Sequence, residues 1–379
     1  MKKTVVLAPD SFKESMSAQK ACAAMERGIR KVLFDAEVIQ VPMADGGEGT
    51  IDALVASTGG TRIEVEVLGP IPTEKITTYY GLLADKKTAV IEMAKANGIE
   101  HLAKEKRNPL LTSTYGTGEM IKAALDQGVE KIIIGLGGSA TNDGGAGMAQ
   151  ALGVRLLDAT DKELPAGGGA LKKLVKIDGS TIDPRIKETE ILIASDVDNP
   201  LTGPTGASVV FGPQKGATPA MIKELEQNLA HYAAIIKRDF ASDVQMIPGA
   251  GAAGGLGAGL LAFTGAKIRS GVELVIEYTQ LAEKIAKADY VFTGEGGMDF
   301  QTKFGKTPYG VAQVAKKYNK PVFACAGFIG DQVEVLYAEG MTAIFGILAK
   351  ASSLEEALQT GEENLERTVE NIVRVLTIE

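Results

Sequence analysis

The sequence predicts an α/β fold, with a discontinuous Rossmann-like parallel-sheet domain and a second mixed α/β domain inserted into it. Three observations carry this prediction. At both ends of the chain β-branched runs alternate with helical stretches, as in TVVLAPD, the segment after it and EVIQVPM; that order predicts parallel pairing through crossovers. From Thr61 onward three strand-like runs follow one another with only short turns, which predicts antiparallel or mixed sheet. Finally, 379 residues exceed the usual span of one hydrophobic core, so two domains are expected. The Rossmann-like domain is placed at residues 1–60 and 285–379 and the inserted domain at 61–284, with the active site in the cleft between them.

The elements follow in order. TVVLAPD is a short β-branched run stopped by Pro9. Ser17 then caps a helix whose apolar side carries Cys22, Met25, Ile29 and Leu33 at helical spacing. EVIQVPM is the second strand, and ADGGEGT opens another helix. TRIEVEVLGP, KITTYYGLLA and KTAVIEMA are the three successive strands, followed by a helix near Ser113 to Gln127 and the strand EKIIIGLGG. ETEILIASDVDNP and the helix TPAMIKELEQNLAHYAAIIKRDF come next. The alternating texture returns with ADYVFTGEGG, a helix near Tyr309 to Tyr318, KPVFACAG, a helix near Gln332 to Glu339, and TAIFGIL. Ser353 and Glu356 form a capping-box signature for a last helix with Leu365, Val369, Ile372 and Leu376 on its apolar side.

Composition narrows the function. A net charge of −8 argues against nucleic-acid binding, which needs a basic face. No apolar run approaches the length that crosses a bilayer, and the apolar stretch after Lys2 and Lys3 stops at Pro9 and Asp10, too soon for a signal peptide. Cys22 and Cys325 are too few for a metal cluster or disulfide framework. Together these features favour the cytoplasm. His101 and His231 lie outside any motif, so proton transfer falls to a carboxylate.

Five strand-like segments run into polar, Gly-rich or Pro-containing loops: APDSFKE (8–14), ADGGEGT (44–50), GLGGSATNDGGAG (135–147), SDVDNPL (195–201) and TGEGGMDFQTKFGKTP (293–308). One such loop is an ordinary turn. Five exceed what stability requires, and their chemistry suits phosphoryl transfer. Glycines let backbone N–H groups approach phosphate oxygens, carboxylates hold Mg2+ or accept the proton of an attacking hydroxyl, and lysines neutralise substrate charge. The carboxylate candidates are Asp10, Asp45, Glu48, Asp143, Asp196, Asp198, Glu295 and Asp299; the cations are Lys13, Lys215 and Lys306. The P-loop pattern G-x-x-x-x-G-K-[ST] and the protein-kinase signatures are absent from the sequence. A rival motif is present: Gly249, Gly251 and Gly254 have the G-x-G-x-x-G spacing, with Glu273 downstream. It points to a nicotinamide-dependent hydroxypyruvate or glycerate reductase, although no strand-turn-helix opening precedes it. A non-catalytic organic-acid sensor is a further alternative.

In their order, APDSFKES, VPMADGGEGT, GTGE, GGSATNDGGAGMAQALG, DVDNPL, FGPQKGA, GAGAAGGLGAG and TGEG..D.QT..GK resemble the bacterial type 1 glycerate kinases, and the likeness runs from about Val5 to the C-terminal helix. The resemblance implies a Rossmann-like domain with an inserted α/β domain. It also implies ATP-dependent phosphorylation of D-glycerate, with Mg2+, at the 2-hydroxyl, giving 2-phosphoglycerate and ADP. Many relatives carry a basic or polar residue just after Gly-Glu-Gly, where this chain has Gly297, Met298 and Asp299; Lys303 or Lys306 is the nearest substitute cation.

On this reading Asp45 is the base for the 2-hydroxyl, Lys13 with Lys215 holds the glycerate carboxylate, and Asp196, with Asp198, is the Mg2+ carboxylate. Asp10, Ser11, Gly46, Gly47, Glu48, Gly137, Gly138, Ser139, Asn142, Asp143, Asn199, Glu295, Asp299 and Lys306 complete the expected substrate and nucleotide site. Gly137, Gly138 and Ser139 are the expected anion loop, with Asn142 and Asp143 its polar or metal-linked partners.

Overall fold

Strand Thr4–Leu7 is buried along most of its length and pairs in parallel with Glu37–Gln40 on one side and Tyr290–Met298 on the other. In the computed structural model, which describes residues 2–378, the chain divides into two compact units. The first comprises Met1–Asp45, Asp52–Thr58 and Ser270–Glu379; the second comprises Gly46–Ile51 and Gly59–Arg269.

The first unit is built on a five-stranded, all-parallel sheet in the order Ala343–Gly346, Val322–Ile329, Tyr290–Met298, Thr4–Leu7, Glu37–Gln40. From Thr4–Leu7 the chain moves to one neighbour and returns much later on the other side, which makes a topological switch point between Thr4–Leu7 and Tyr290–Met298. Loops diverge at the carboxyl end of such a point and leave a crevice for ligands. Ser17 caps helix Ala18–Arg30, accepting from Lys20 N at 3.3 Å. Gly28 lets this helix press against helix Gly361–Leu376, because a Cβ there would fall 2.4 Å from Glu366 O. Leu33 lies beyond the last helical turn but still packs against the same core.

The second unit carries a six-stranded mixed sheet in the order Lys267–Arg269, Glu190–Ala194, Lys131–Gly135, Thr88–Glu92, Lys75–Leu82, Thr61–Leu68. The first four strands are parallel and the last two antiparallel. Isoleucines 132, 133 and 134 are all fully buried, as a central parallel strand covered on both faces requires.

The structure differs from the sequence expectations at several points. The return to the first unit comes at Ser270 instead of residue 285, since helix Gly271–Tyr278 packs on helix Thr307–Lys317; a Cβ on Gly310 would meet Val272 Cγ1 at 2.2 Å. The capping box at Ser353 is half made. Ser353 accepts from Glu356 N, while the Glu356 carboxylate pairs with Lys350. The helix it starts ends at Gln359, and Gly361–Leu376 is a separate helix. The helix near Gln332 to Glu339 shortens to Val335–Ala338. Two short strands, Arg155–Leu157 and Lys176–Asp178, form a ribbon that no alternation in the sequence announces.

The glycine-rich stretch around Gly254 serves close packing. Ala253, Gly254 and Gly255 take left-handed conformations inside helix Ala252–Thr264, and a Cβ on Gly254 would lie 2.0 Å from Thr141 O. These glycines therefore let backbone meet backbone beside residues 141–145 and do not follow a strand as a dinucleotide fingerprint would.

Candidate active site

In the first unit three carboxylates gather at the carboxyl end of the switch point. Strand pairing runs past Leu7, with Asp10 N donating to Gly294 O at 2.8 Å, which sets Asp10 beside Glu295 across the ladder. Asp45 follows the second strand, whose pairing with the first is continued by Val41 N to Leu7 O and Met43 N to Pro9 O. Asp10 accepts from Ser11 N at 2.6 Å and from the Thr307 hydroxyl at 2.5 Å. Burial, reinforced by the negative charge of Asp45, nevertheless pushes its carboxyl up to about 7. Glu295 is likewise pushed up to about 7 by burial, with the Lys306 ammonium pulling the other way. Its Oε1 accepts from Thr302 Oγ1 at 3.2 Å and Lys306 Nζ at 3.5 Å. Carboxylates tuned toward neutrality at a strand-end crevice mark a functional site.

Asp45 is exposed, as is Lys13, which forms no ion pair among the described residues. Lys13 borders Gly296, where a Cβ would stand 3.3 Å from Lys13 N. Lys306 Nζ also donates to Gly297 O at 3.2 Å, so Lys306 supplies the cation next to Gly297, while Lys303 lies over the Phe304 ring. Asp299 has a structural task. It caps the turn Phe300–Lys303 by accepting from Gln301 N at 2.8 Å. Sequence reasoning passed over Thr302 and Thr307, both fully buried and aimed at the acids; the only signal was two threonines in QTKFGKTP.

In the second unit the segment 46–49 lies over the carboxyl ends of strands Lys131–Gly135 and Glu190–Ala194. Gly46, with φ +90°, leaves no room for a Cβ, which would be 2.9 Å from Ala194 O, and a Cβ on Gly137 would touch Gly47 Cα at 3.0 Å. Gly46 and Gly137 are thus needed for backbone packing. Glu48 is exposed. Among the described residues no acceptor meets the N–H groups of Gly137, Gly138 and Ser139. Lys215 is only 2% exposed; its Nζ donates to Ser139 Oγ and to Thr141 O, both at 2.7 Å. Burial pushes the ammonium down to about 7, against the pull of Asp143. Instead of reaching out to a substrate as the sequence suggested, Lys215 grips the loop.

Of the polar or metal-linked roles expected for Asp143, its contacts fit the polar one. It is fully buried and accepts from Thr114 N (2.9 Å), Gly145 N (3.1 Å), Gly147 N (3.2 Å) and the Thr114 hydroxyl. These donors start helices Tyr115–Asp126 and Ala146–Ala151, so the carboxylate offsets two positive helix ends. Asn142 is fully buried and donates to Ser208 Oγ at 2.9 Å, and its Oδ1 has no partner. Asn199 closes a turn by donating to Thr205 O at 2.8 Å. Asp196 and Asp198 are exposed in the loop after Glu190–Ala194. Among the described residues no three His, Cys, Asp or Glu side chains gather as a metal site, and no helix is long and apolar enough to cross a membrane. Cys22 and Cys325 are free and buried, and burial pushes both thiols up to about 12, which makes them unreactive.

Known proteins match this architecture over its whole length. The model of the Glycerate kinase family covers residues 5–377. A glycerate kinase of Halalkalibacterium halodurans is 54% identical over 98% of this chain and 98% of its own. The glycerate 2-kinase of Escherichia coli K12 is 50% identical over 99% and 98%. A crystal structure of a Salmonella typhimurium LT2 protein superposes with a TM-score of 0.89 at 49% identity, covering 99% of this chain and 98% of the other.

Proposed function

The chain belongs to the glycerate kinase family and catalyses ATP-dependent phosphorylation of glycerate, and we propose that its product is 2-phosphoglycerate, formed from D-glycerate with release of ADP. Family membership sets aside the reductase and sensor readings. The observation that carries the chemical assignment is the group Asp10, Asp45 and Glu295 at the switch point of the first unit.

On this reading exposed Asp45 takes the proton of the 2-hydroxyl. The hydroxyl oxygen bonds to the γ-phosphorus, and the bond from that phosphorus to the β–γ bridging oxygen breaks as ADP leaves. Asp10 and Glu295, anchored by Thr307, Thr302 and Lys306, hold the charge around Asp45. Lys13 neutralises the glycerate carboxylate. The unpaired N–H groups of Gly137, Gly138 and Ser139 receive anionic oxygens. Phosphoryl transfer gains most from such positioning and charge neutralisation. Mg2+ needs only one or two protein carboxylates beside phosphate and water oxygens, which Asp196 and Asp198, both exposed, would supply. When bound with ATP it neutralises charge on the phosphates. Two buried free thiols support a cytoplasmic setting.

Phosphorus NMR of the purified protein with ATP, Mg2+ and D-glycerate tests the product: a 2-phosphoglycerate resonance is expected, and 3-phosphoglycerate alone would overturn the position of transfer. A second expectation concerns pH. Asp10 and Glu295 act as carboxylates, so kcat/KM for glycerate rises from pH 6 to 8 through about 7. Stability runs the other way. Folded Asp10 holds its proton more tightly than the unfolded chain, so its contribution is complete below about pH 3.8 and is lost as pH rises through about 7. Asp10→Asn should therefore lower turnover yet raise stability at pH 8, on the order of 1–3 kcal/mol; a variant less stable than the parent at pH 8 would contradict the assigned cost of burying this charge.

A further inference from the structure

Arg107 is a cation of the second unit that the reading above does not use. Its guanidinium Nε is buried and has no acceptor, and among the described residues no carboxylate pairs with it. A buried N–H of a charged group left unsatisfied costs stability, which makes the half-buried guanidinium of Arg107 a candidate for binding. The backbone around it leads to the anion loop by two routes. Gly216, with φ +87°, sits against Arg107: a Cβ there would lie 2.6 Å from Arg107 O and 2.9 Å from Arg107 Cβ. Gly216 directly follows Lys215, which holds Ser139 and Thr141. Along the chain Arg107 leads to Thr112, whose hydroxyl donates to Ala140 O at 2.9 Å. The turn at 213–216 and the segment 107–112 therefore both border residues 139–141.

This border carries several polar groups that meet no carboxylate directly. Both acceptors of the buried Lys215 ammonium are uncharged oxygens, the N–H groups of Gly137, Gly138 and Ser139 are unmet, and Thr141 Oγ1 is buried without a partner. Asp143, the nearest buried carboxylate in sequence, has both oxygens engaged by helix-start donors.

We infer that Arg107 is an anion-binding residue of this enzyme, meeting a carboxylate or phosphoryl group of the substrates at the loop 137–141, with Lys215 as a positioning residue that holds the loop in shape. The planar guanidinium fork suits two-oxygen recognition of either group. The inference rests on the proposed use of the 137–141 loop for substrate oxygens.

The test compares the parent enzyme with Arg107→Ala and Arg107→Lys, measuring kcat, KM for D-glycerate and KM for ATP separately, ATP binding by calorimetry, and thermal unfolding. Arg107→Ala is expected to raise one KM by about tenfold or more with a melting temperature equal to or above the parent's, and Arg107→Lys to recover only part of the KM. A rise confined to glycerate identifies the carboxylate; a rise in the ATP KM, with matching loss of calorimetric affinity, identifies the phosphate. If the Ala variant does not fold, the Lys variant carries the same comparison. An active parent enzyme with both KM values within twofold in the folded variants overturns the role of Arg107 alone. A parent that forms no phosphoglycerate would instead refute the proposed reaction.

Discussion

Asp45→Asn lowers kcat by about 10²–10⁴-fold while the melting temperature stays within the small range typical of exposed substitutions. The substitution keeps the shape of the side chain and removes its capacity to accept a proton as a carboxylate. Asp45 stands beyond the end of the second strand, exposed, beside two half-buried acids whose proton affinity its own charge raises. The loss should fall on kcat with little change in the KM for ATP, because the base acts only as the hydroxyl attacks. Steady-state kinetics with a parallel unfolding curve check this. Turnover within threefold of the parent would remove Asp45 as the base and leave Asp10, tuned to about 7, as the group to test.

The second large effect is structural. Asp143→Ala is expected to destabilise the second unit by roughly 3 kcal/mol or more, since it strands the N–H groups of Thr114, Gly145 and Gly147 in a dry interior at about 1–3 kcal/mol each. Asp143→Asn keeps one carbonyl acceptor and should cost less. Hydrogen exchange along Tyr115–Asp126 and Ala146–Ala151 reads the effect locally, which separates it from unfolding of the other unit. A loss below about 1 kcal/mol would mean that the two helix starts find other acceptors. Activity should fall with it, as the same carboxylate shapes the loop from Ser139 to Gly145.

Much of the architecture is readable in advance because it rests on local periodicity. The run at Ile132–Ile134 declares a buried strand, Ser17 declares a helix start, and the succession of strands from Thr61 declares mixed sheet. Elements set by partners distant in sequence are harder to see. Strand Lys267–Arg269 spans three residues and exists because Glu190–Ala194 offers it an edge. The break at Thr360 has no proline or glycine before it.

For the site, the sequence alone determined which chemistry is present: acids, glycines and cations clustered at strand ends, and a motif order that resembles one kinase family throughout. Residue types and spacings are local properties, and a glycine beside an aspartate keeps that meaning in any fold. Only the tertiary structure decided how the tasks divide among similar residues. It gathered Asp10, Asp45 and Glu295 while assigning Asp143 and Asp299 to helix starts and turns, and it turned Lys215 inward onto Ser139 and Thr141. Burial and the set of neighbouring donors make that difference, and both arise from contacts between segments far apart in the chain. An aspartate facing three backbone N–H groups is a structural anchor; an exposed one whose charge is felt by two other carboxylates at a strand end is the one to test as a base.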